Sequence, residues 1–377
     1  MVFPGEPILT VKAPVMEAQL VETAILNILN HQTLIATKAA KVCYAAKGDA
    51  VMEFGLRRAQ GPDAGIYGSR ASVIGGCGST SNVLAGQLFD IPVAGTHAHS
   101  WVMNFPSEYE AFRAYAETYP DNALLLVDTY DTLGSGVPNA IRVFREMREK
   151  GLKPKGIRLD SGDIAYLTRE ARQMLDEAGW ESCKISASNS LDEYIIQDIL
   201  RQGAKVDLFG VGERMITSKS DPVFGGVYKL AAIEKEDGTI VPKIKISENV
   251  GKITNPHFKK VYRIFDKATG KAEADYITVW DEVIEEGQPL ELFDPDATWK
   301  RRTYTDYTIK PLQEKIFEHG QLVYQQPTLP EIQKYCREQI DTLWDEVKRF
   351  ENPHNYYVDL SQKLWDIKQD LLRKNYR

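Results

Sequence analysis

The chain has 377 residues, of which 43% are hydrophobic and 26% charged, the composition of a soluble globular protein with at least one sizeable core. Its formal net charge of −7 argues against bulk nucleic-acid binding but leaves room for a local basic site facing an anion. No apolar run approaches the roughly 18 residues of a membrane span, the first residues lack a signal peptide's basic and then apolar run, and Cys43, Cys77, Cys183 and Cys336 are too scattered for zinc or a disulfide frame, reading as reduced thiols of a cytoplasmic protein.

In chain order, Pro4-Gly5-Glu6-Pro7 reads as a turn and Ile8–Val11 as a short strand. Val15–Ala46 then carries an apolar helical stripe without glycine or proline. From about residue 50 to 212, short apolar runs alternate with amphipathic helices. The runs are Val51–Leu56, Pro92–Gly95, Ala123–Val127, Gly156–Leu159, Lys184–Ala187 and Val206–Phe209. Ser107 with Glu110 and Ser190 with Glu193 form capping boxes, Asp163 opens a helix, and Pro138 suits a first helical turn. This alternation predicts parallel strands with right-handed crossovers, hence an α/β barrel or a doubly wound sheet, and six strand candidates favour the barrel. Beyond Gly212 the texture changes. Val227–Ile233, Ile240–Ile246, Lys260–Phe265 and Ala274–Trp280 read as antiparallel strands, and 328–350 and 359–374 as helices.

Polar groups gather where the strands end. Arg57 and Arg58 follow the first strand, and a guanidinium fork matches carboxylate or phosphate geometry; a surface ion pair with Glu53 or Asp63 is the plainer reading. Gly75–Asn82 is a small, hydroxyl-rich loop ahead of the helix Val83–Phe89, weak as a dinucleotide fingerprint. Val127–Thr132 partly resembles the diphosphate-sugar motif of type I phosphoribosyltransferases but lacks the adjacent acidic pair. Arg158-Leu159-Asp160-Ser161-Gly162-Asp163 is the most suggestive segment, since alternation along a strand places Arg158 and Asp160 on one face. Gly210 and Gly212 end the last strand, with Lys219 and Lys229 after them, where backbone amides approach phosphates in barrel folds; a flexible exit turn accounts for them equally. Gly95-Thr96-His97-Ala98-His99-Ser100 holds two of the six histidines. A His-x-His pair suits a divalent metal in barrel hydrolases, but such sites need further imidazoles at later strand ends, and none follow here.

Taken in order, Gln19–Ala24, Gln32–Lys38, Phe54–Gln60, Thr80–Val83, Gly95–Ser100, Val127–Thr132, Arg158–Asp163, Ser188–Glu193 and Gly225–Leu230 resemble the nicotinate phosphoribosyltransferases related to nicotinamide phosphoribosyltransferase. The resemblance implies an irregular α/β barrel of the type II phosphoribosyltransferase kind beside a β-rich region. That corresponds to a remnant of a sandwich domain at 1–18, a barrel at 19–225, a β-rich region at 226–327 and a helical segment at 328–377. It implies condensation of nicotinate with phosphoribosyl diphosphate, coupled to ATP hydrolysis, with Mg²⁺ on the diphosphate and no zinc. His99 matches the phosphorylated histidine, and Asp160 is the second catalytic candidate. Phe54 is expected to stack on the pyridine, Arg158 to pair with the carboxylate, and Arg57 to lie at the ring and phosphate site. Asn189 is placed for the ribose hydroxyls, Gly210 and Gly212 for the 5′-phosphate. Asn82 stands where amide-using relatives carry an acid. Arg58, Lys219 and Lys229 are further phosphate candidates, and no protein ligand for a metal is assigned. The family works as a homodimer, with no nucleic acid or membrane involved. Its members begin upstream of where this chain starts, so a separate polypeptide completing the site, or a catalytically incomplete subunit, are expectations alongside the enzyme.

Overall fold

The computed structural model describes residues 1–249 and 253–375. They form two compact units: 27–225 with 329–333, and 1–26 with 226–328 and 334 onward. In the first unit, β1 (Ala50–Glu53), β2 (Ser79–Thr80), β3 (Leu124–Leu126), β4 (Gly156–Leu159), β5 (Lys184–Ser188) and β6 (Leu208–Val211) build one parallel sheet in the order β2-β1-β6-β5-β4-β3. Its helices are most of α2 (Glu22–Ala45), then α3 (Pro62–Ile74), α4 (Val83–Phe89), α5 (His99–Met103), α6 (Glu108–Thr118), α7 (Val137–Glu149), α8 (Ile164–Glu177), α9 (Glu193–Arg201) and α10 (Glu213–Ile216). Strands covered on both faces read as unbroken apolar runs. Leu124-Leu125-Leu126 is such a run, and Leu125, Ile157 and Ile185 pack with Phe112 and Phe144 of α6 and α7.

The ends of this sheet, β2 and β3, are bridged by 92–97. Thr80 donates its N–H to Pro92 O (3.0 Å) and accepts from Ala94 N–H (3.0 Å). On the far side, His97 Nε2 accepts the N–H of Leu126 at 3.2 Å. The sheet thereby closes as an irregular barrel in which one stave is a side chain. The expected strand Pro92–Gly95 is reduced to a single bridge between Thr80 and Val93, because proline has no N–H to give a ladder. Glu53, fully buried at the end of β1, ties the same corner together: it accepts from Ser69 Oγ at 2.9 Å, Thr80 Oγ1 at 2.5 Å and the Gly55 N–H.

Local capping follows the sequence in most places. Ser107 accepts from Glu110 N–H and Asp163 from Tyr166 N–H. The second capping box is corrected: Asp192 caps α9 by accepting from Ile195 N–H at 2.9 Å, while Ser190 sits at φ 53° outside the helix. Glu193 is diverted into a buried ion pair with Lys38 of α2, Nζ to Oε1 2.9 Å.

In the second unit, the predicted helix Val15–Ala46 breaks at Val21 into α1 (Val15–Leu20) and α2, and α1 buries none of its residues. Ile8–Val11 is irregular chain rather than a strand, with no ladder partner among the described residues. The hairpin β7 (Ala232–Glu234) and β8 (Ile240–Pro242) is shorter than Val227–Ile233 and Ile240–Ile246 suggest. The main sheet contains β9 (Lys259–Asp266) and β10 (Ala272–Val279), accompanied by β11 (Leu290–Phe293) with β12 (Arg301–Tyr304), then β13 (Tyr307–Pro311), β14 (Phe317–Glu318) and β15 (Gln321–Leu322). After α11 (Leu329–Asp341) the chain returns as β16 (Tyr357–Leu360) and ends in α12 (Gln362–Asn375). The sheet order is β13-β9-β10-β16, antiparallel except for the parallel β10–β16 pair. Within it Arg263 and Asp275 face each other as a fully buried ion pair, Nε to Oδ1 2.7 Å and Nη2 to Oδ2 2.6 Å.

Removing one partner of a buried ion pair strands the other charge. Lys38→Met is therefore expected to lower unfolding free energy by about 3–5 kcal/mol, whereas Lys38→Met with Glu193→Leu recovers most of the loss. Urea denaturation of the three proteins checks this, and an equal loss in the double variant would contradict it.

Candidate active site

A cleft of about 420 Å³ opens at the C-terminal ends of the parallel strands, where α/β folds place their ligands. Phe54 and Arg57 enter it after β1, Ser81 after β2, Arg158 and Asp160 from β4, and Thr96 to His99 from the bridging segment.

Arg158 is the centre of its polar side. Its Nε donates to Ser188 Oγ at 2.9 Å, Nη1 to Thr96 Oγ1 at 2.7 Å and Nη2 to Asp160 Oδ1 at 2.8 Å. A guanidinium has five N–H groups; these three bonds leave one on each terminal nitrogen. The guanidinium carbon lies 5.4 Å from the centroid of the Phe54 ring. Phe54 itself continues the β1 ladder by donating its N–H to Val211 O at 2.8 Å. Gly210 makes room for that ring: a Cβ there would stand 2.7 Å from Phe54 Cδ2 and Cε2, and one on Gly212 would stand 2.8 Å from Phe54 O.

Asp160 faces two partners. Its Oδ1 takes Arg158 and Ser188 Oγ, and its Oδ2 lies 3.7 Å from His99 Nε2. Its backbone is held from below by Asp128, whose Oδ2 accepts from Asp160 N–H (2.8 Å) and Ser161 Oγ (2.6 Å). Asp128 is buried, and its Oδ1 has no hydrogen-bond partner among the described residues. His99 opens α5, with Nδ1 3.2 Å from Thr129 Oγ1, and remains open to solvent on one side.

His97 points the other way. It is 7% exposed, stacks edge-on to Tyr115 with centroids 4.7 Å apart, and spends Nε2 on the Leu126 N–H. Its proton therefore sits on Nδ1, facing Ala98 O at 3.5 Å. Burial pushes its imidazole down to about 4, so it is neutral at physiological pH. This geometry removes the metal-pair reading of His97 and His99: one imidazole is consumed by the fold, and among the described residues no group of three or more His, Cys, Asp or Glu is placed to hold a metal.

Of the other sequence candidates, Asn82 does not face the cleft. It is 2% exposed, caps α4 by accepting from Ala85 N–H at 3.2 Å, and donates to Gly65 O at 3.3 Å. Asn189 is exposed at the end of β5 with φ 83°, its Oδ1 accepting from Ser190 Oγ. Arg58 and Lys219 each lie 3.8 Å from Glu213, outside the cleft lining, whereas Arg57 has no ion-pair partner among the described residues. Lys229 belongs to the other unit, where its Nζ donates to Tyr228 O at 2.8 Å. Sequence reasoning noted Asp128 only as a strand-end carboxylate and gave no role to Thr96, Ser188 and Thr129, which carry no charge or spacing of their own beyond the strand-end motifs that contain them.

A family model described as the nicotinate phosphoribosyltransferase C-terminal domain matches residues 258–368. A nicotinate phosphoribosyltransferase of Bacillus subtilis is 49% identical over 374 residues, covering 99% of this chain and 76% of the relative. This chain belongs to the nicotinate phosphoribosyltransferase family. The family's human member is 32% identical over 419 residues, covering 97% of this chain and 77% of the relative. The crystal structure of human nicotinic acid phosphoribosyltransferase superposes with a TM-score of 0.84 at 29% identity, covering 98% of this chain and 80% of that one. The chain is thus an enzyme of this family, with its type II phosphoribosyltransferase-like α/β fold. No helix among the described residues is long and apolar enough to cross a membrane.

The depressed imidazole of His97 has a consequence for stability. Unfolded, the ring protonates near pH 6.5; folded, it stays neutral until about pH 4. Its contribution is present above pH 6.5 and is lost as pH falls through that window, amounting to about 3 kcal/mol by pH 4. His97→Gln keeps an acceptor for Leu126 N–H but does not titrate, so its urea midpoint should fall less steeply between pH 6.5 and 4.5. An acid slope identical to the parent's would assign the effect to another group.

Proposed function

We propose that this chain joins nicotinate to the ribose of phosphoribosyl diphosphate, releasing nicotinate mononucleotide and diphosphate, and that His99 couples the step to ATP. The observation that carries the reading is the Arg158 guanidinium, held on three sides, turned to an aromatic ring and left with one N–H on each terminal nitrogen. Such a group pairs with a planar carboxylate. Phe54 supplies the face on which a pyridine ring stacks while Arg158 holds its carboxylate, so the ring nitrogen is presented to the ribose C1.

The transition state at C1 carries oxocarbenium character and needs orientation and electrostatic support more than covalent help. Asp160 supplies negative charge at this point and keeps Arg158 from rotating. Arg57, exposed in the cleft and without an ion-pair partner among the described residues, suits a phosphate group of the sugar substrate. Arg58 and Lys219 offer further positive charge around Glu213, and the glycines Gly210 and Gly212 support the site by seating Phe54. Mg²⁺ prefers oxygen donors, and Asp160 Oδ2 and the orphaned Asp128 Oδ1 are carboxylate oxygens that would hold it. An Mg²⁺ ion held there with diphosphate would supply positive charge to the leaving group.

In the ATP-coupled half, a nitrogen of His99 takes the terminal phosphoryl group, ADP leaves, and water later releases inorganic phosphate. Thr129 and Asp160 face the two ring nitrogens and fix the imidazole for that attack. The reading extends to a homodimer, because Val83, Leu84 and Leu88 of α4 present an exposed apolar face that a second copy would cover. Buried thiols at Cys77 and Cys183 fit a cytoplasmic setting.

Two variants test the reading. Arg158→Ala should raise the nicotinate KM on the order of 100-fold by leaving the carboxylate without its charged partner; an unchanged KM would assign the carboxylate to another residue. His99→Ala should release transfer from ATP consumption and abolish acid-labile phosphate on the protein. Phosphate that persists on that variant would move the acceptor elsewhere.

A further inference from the structure

Three acceptors hold Arg158, and they are not equivalent. Ser188 and Asp160 grip the same edge, Nε and Nη2, and are themselves joined, since Ser188 Oγ donates to Asp160 Oδ1. Thr96 alone holds the opposite edge, through Nη1 at 2.7 Å. It does so with a neutral hydroxyl, whose own proton goes to His97 O at 3.1 Å. A neutral acceptor fixes direction without cancelling the positive charge that a bound carboxylate needs. Asp160, already paired on the other edge, withdraws part of that charge, and a second carboxylate in place of Thr96 would withdraw the rest.

The position of Thr96 is also well defined. It lies between Ala94, hydrogen-bonded to β2, and His97, hydrogen-bonded to β3. The segment that closes the barrel therefore delivers the hydroxyl to Arg158 from a backbone anchored at both ends. An arginine held along one edge only can swing about that edge, and the fork loses its aim. We propose that Thr96 is a positioning residue that sets the direction of the Arg158 fork and, through it, the preference for a pyridine carboxylate over the matching carboxamide. The proposal rests on the reading of Arg158 as the carboxylate partner.

The reasoning about selectivity is chemical. A carboxylate offers two acceptor oxygens to the two remaining N–H groups of Arg158, with full charge pairing. A carboxamide offers one oxygen, carries no charge and brings N–H donors that meet a donor-only guanidinium. Loosening the fork therefore weakens nicotinate far more than nicotinamide.

The test compares Thr96→Val, which keeps the shape and removes the hydroxyl, with Thr96→Ser, which keeps the hydroxyl, and with Arg158→Ala, all in the full chain. Steady-state kinetics are measured with nicotinate, nicotinamide and phosphoribosyl diphosphate varied in turn. Thr96→Val should raise the nicotinate KM roughly ten-fold, the effect of one hydrogen bond to a charged group. It should narrow the nicotinate-to-nicotinamide ratio of kcat/KM by a similar factor and leave the phosphoribosyl diphosphate KM unchanged. Thr96→Ser should restore the parent values. A general loss of structure would move both KM values together, and if Thr96→Val fails to fold, Thr96→Ala takes its place in the comparison. Parent-like nicotinate KM in the hydroxyl-free variant, with Arg158→Ala still impaired, would overturn the role of Thr96 while leaving that of Arg158. Failure of Arg158→Ala to raise the nicotinate KM would overturn the carboxylate reading itself, and with it this one.

Discussion

The barrel depends on a hydrogen bond between the Leu126 N–H of β3 and the Nε2 of His97. Without it the β3 edge of the sheet stands open, and an open edge exposes backbone donors that must find partners. A seventh strand is denied by Pro92, so the chain pairs once with Thr80 and then crosses the gap with a side chain. The cost of this solution is a histidine that has to stay neutral, and burial against Phe112 and Tyr115 keeps it so. The bridge is also the device that builds the site, because Thr96 and His99 flank His97 and are delivered to the cleft by the same few residues.

Much of the first unit was legible because its determinants are local. Ser107 and Asp163 cap helices within three residues of themselves, and apolar runs such as Leu124–Leu126 mark strands buried on both faces. Gly156–Leu159 was delimited to the residue, since the turn before it and the polar end after it are both written in neighbouring letters. Ser190 misled for the complementary reason: a capping box needs its serine next to the helix, and the competing Asp192 is decided by a chain reversal at two positive-φ residues. Ile8–Val11 has strand composition but no partner in a ladder, and pairing is not a local property.

The site divides along the same line. Phe54, Arg57, Arg158, Asp160 and His99 were visible as charged or aromatic residues at strand ends, and all five line one cleft. Asn82 sits in an equally suggestive loop, yet its amide is consumed in capping α4 and bonding to Gly65 O, which only the packing of α3 against that turn decides. Gly210 was read as an approach for phosphate, whereas its missing side chain is filled by the Phe54 ring. The hydroxyls of Thr96 and Ser188 left no trace, since serine and threonine are common at turns and their partners lie 62 and 30 residues away in the chain. His97 was ambiguous for a related reason: an imidazole that accepts from a backbone N–H 29 residues away is indistinguishable in sequence from one that binds a metal.

What unites the polar face of the cleft is the economy of its single central carboxylate. Asp160 neutralises part of Arg158 through one oxygen and turns the other toward His99. A second acid at the fork would cancel more of the Arg158 charge, and the fold instead uses hydroxyls there, Thr96 and Ser188. The second acid that is present, Asp128, is kept below, engaged with the backbone of Asp160 and with Ser161. It fixes where Asp160 stands without contacting Arg158 through any bond described. Asp160 touches both the fork and the imidazole, so a single side chain sets the charge at both ends of this row of groups.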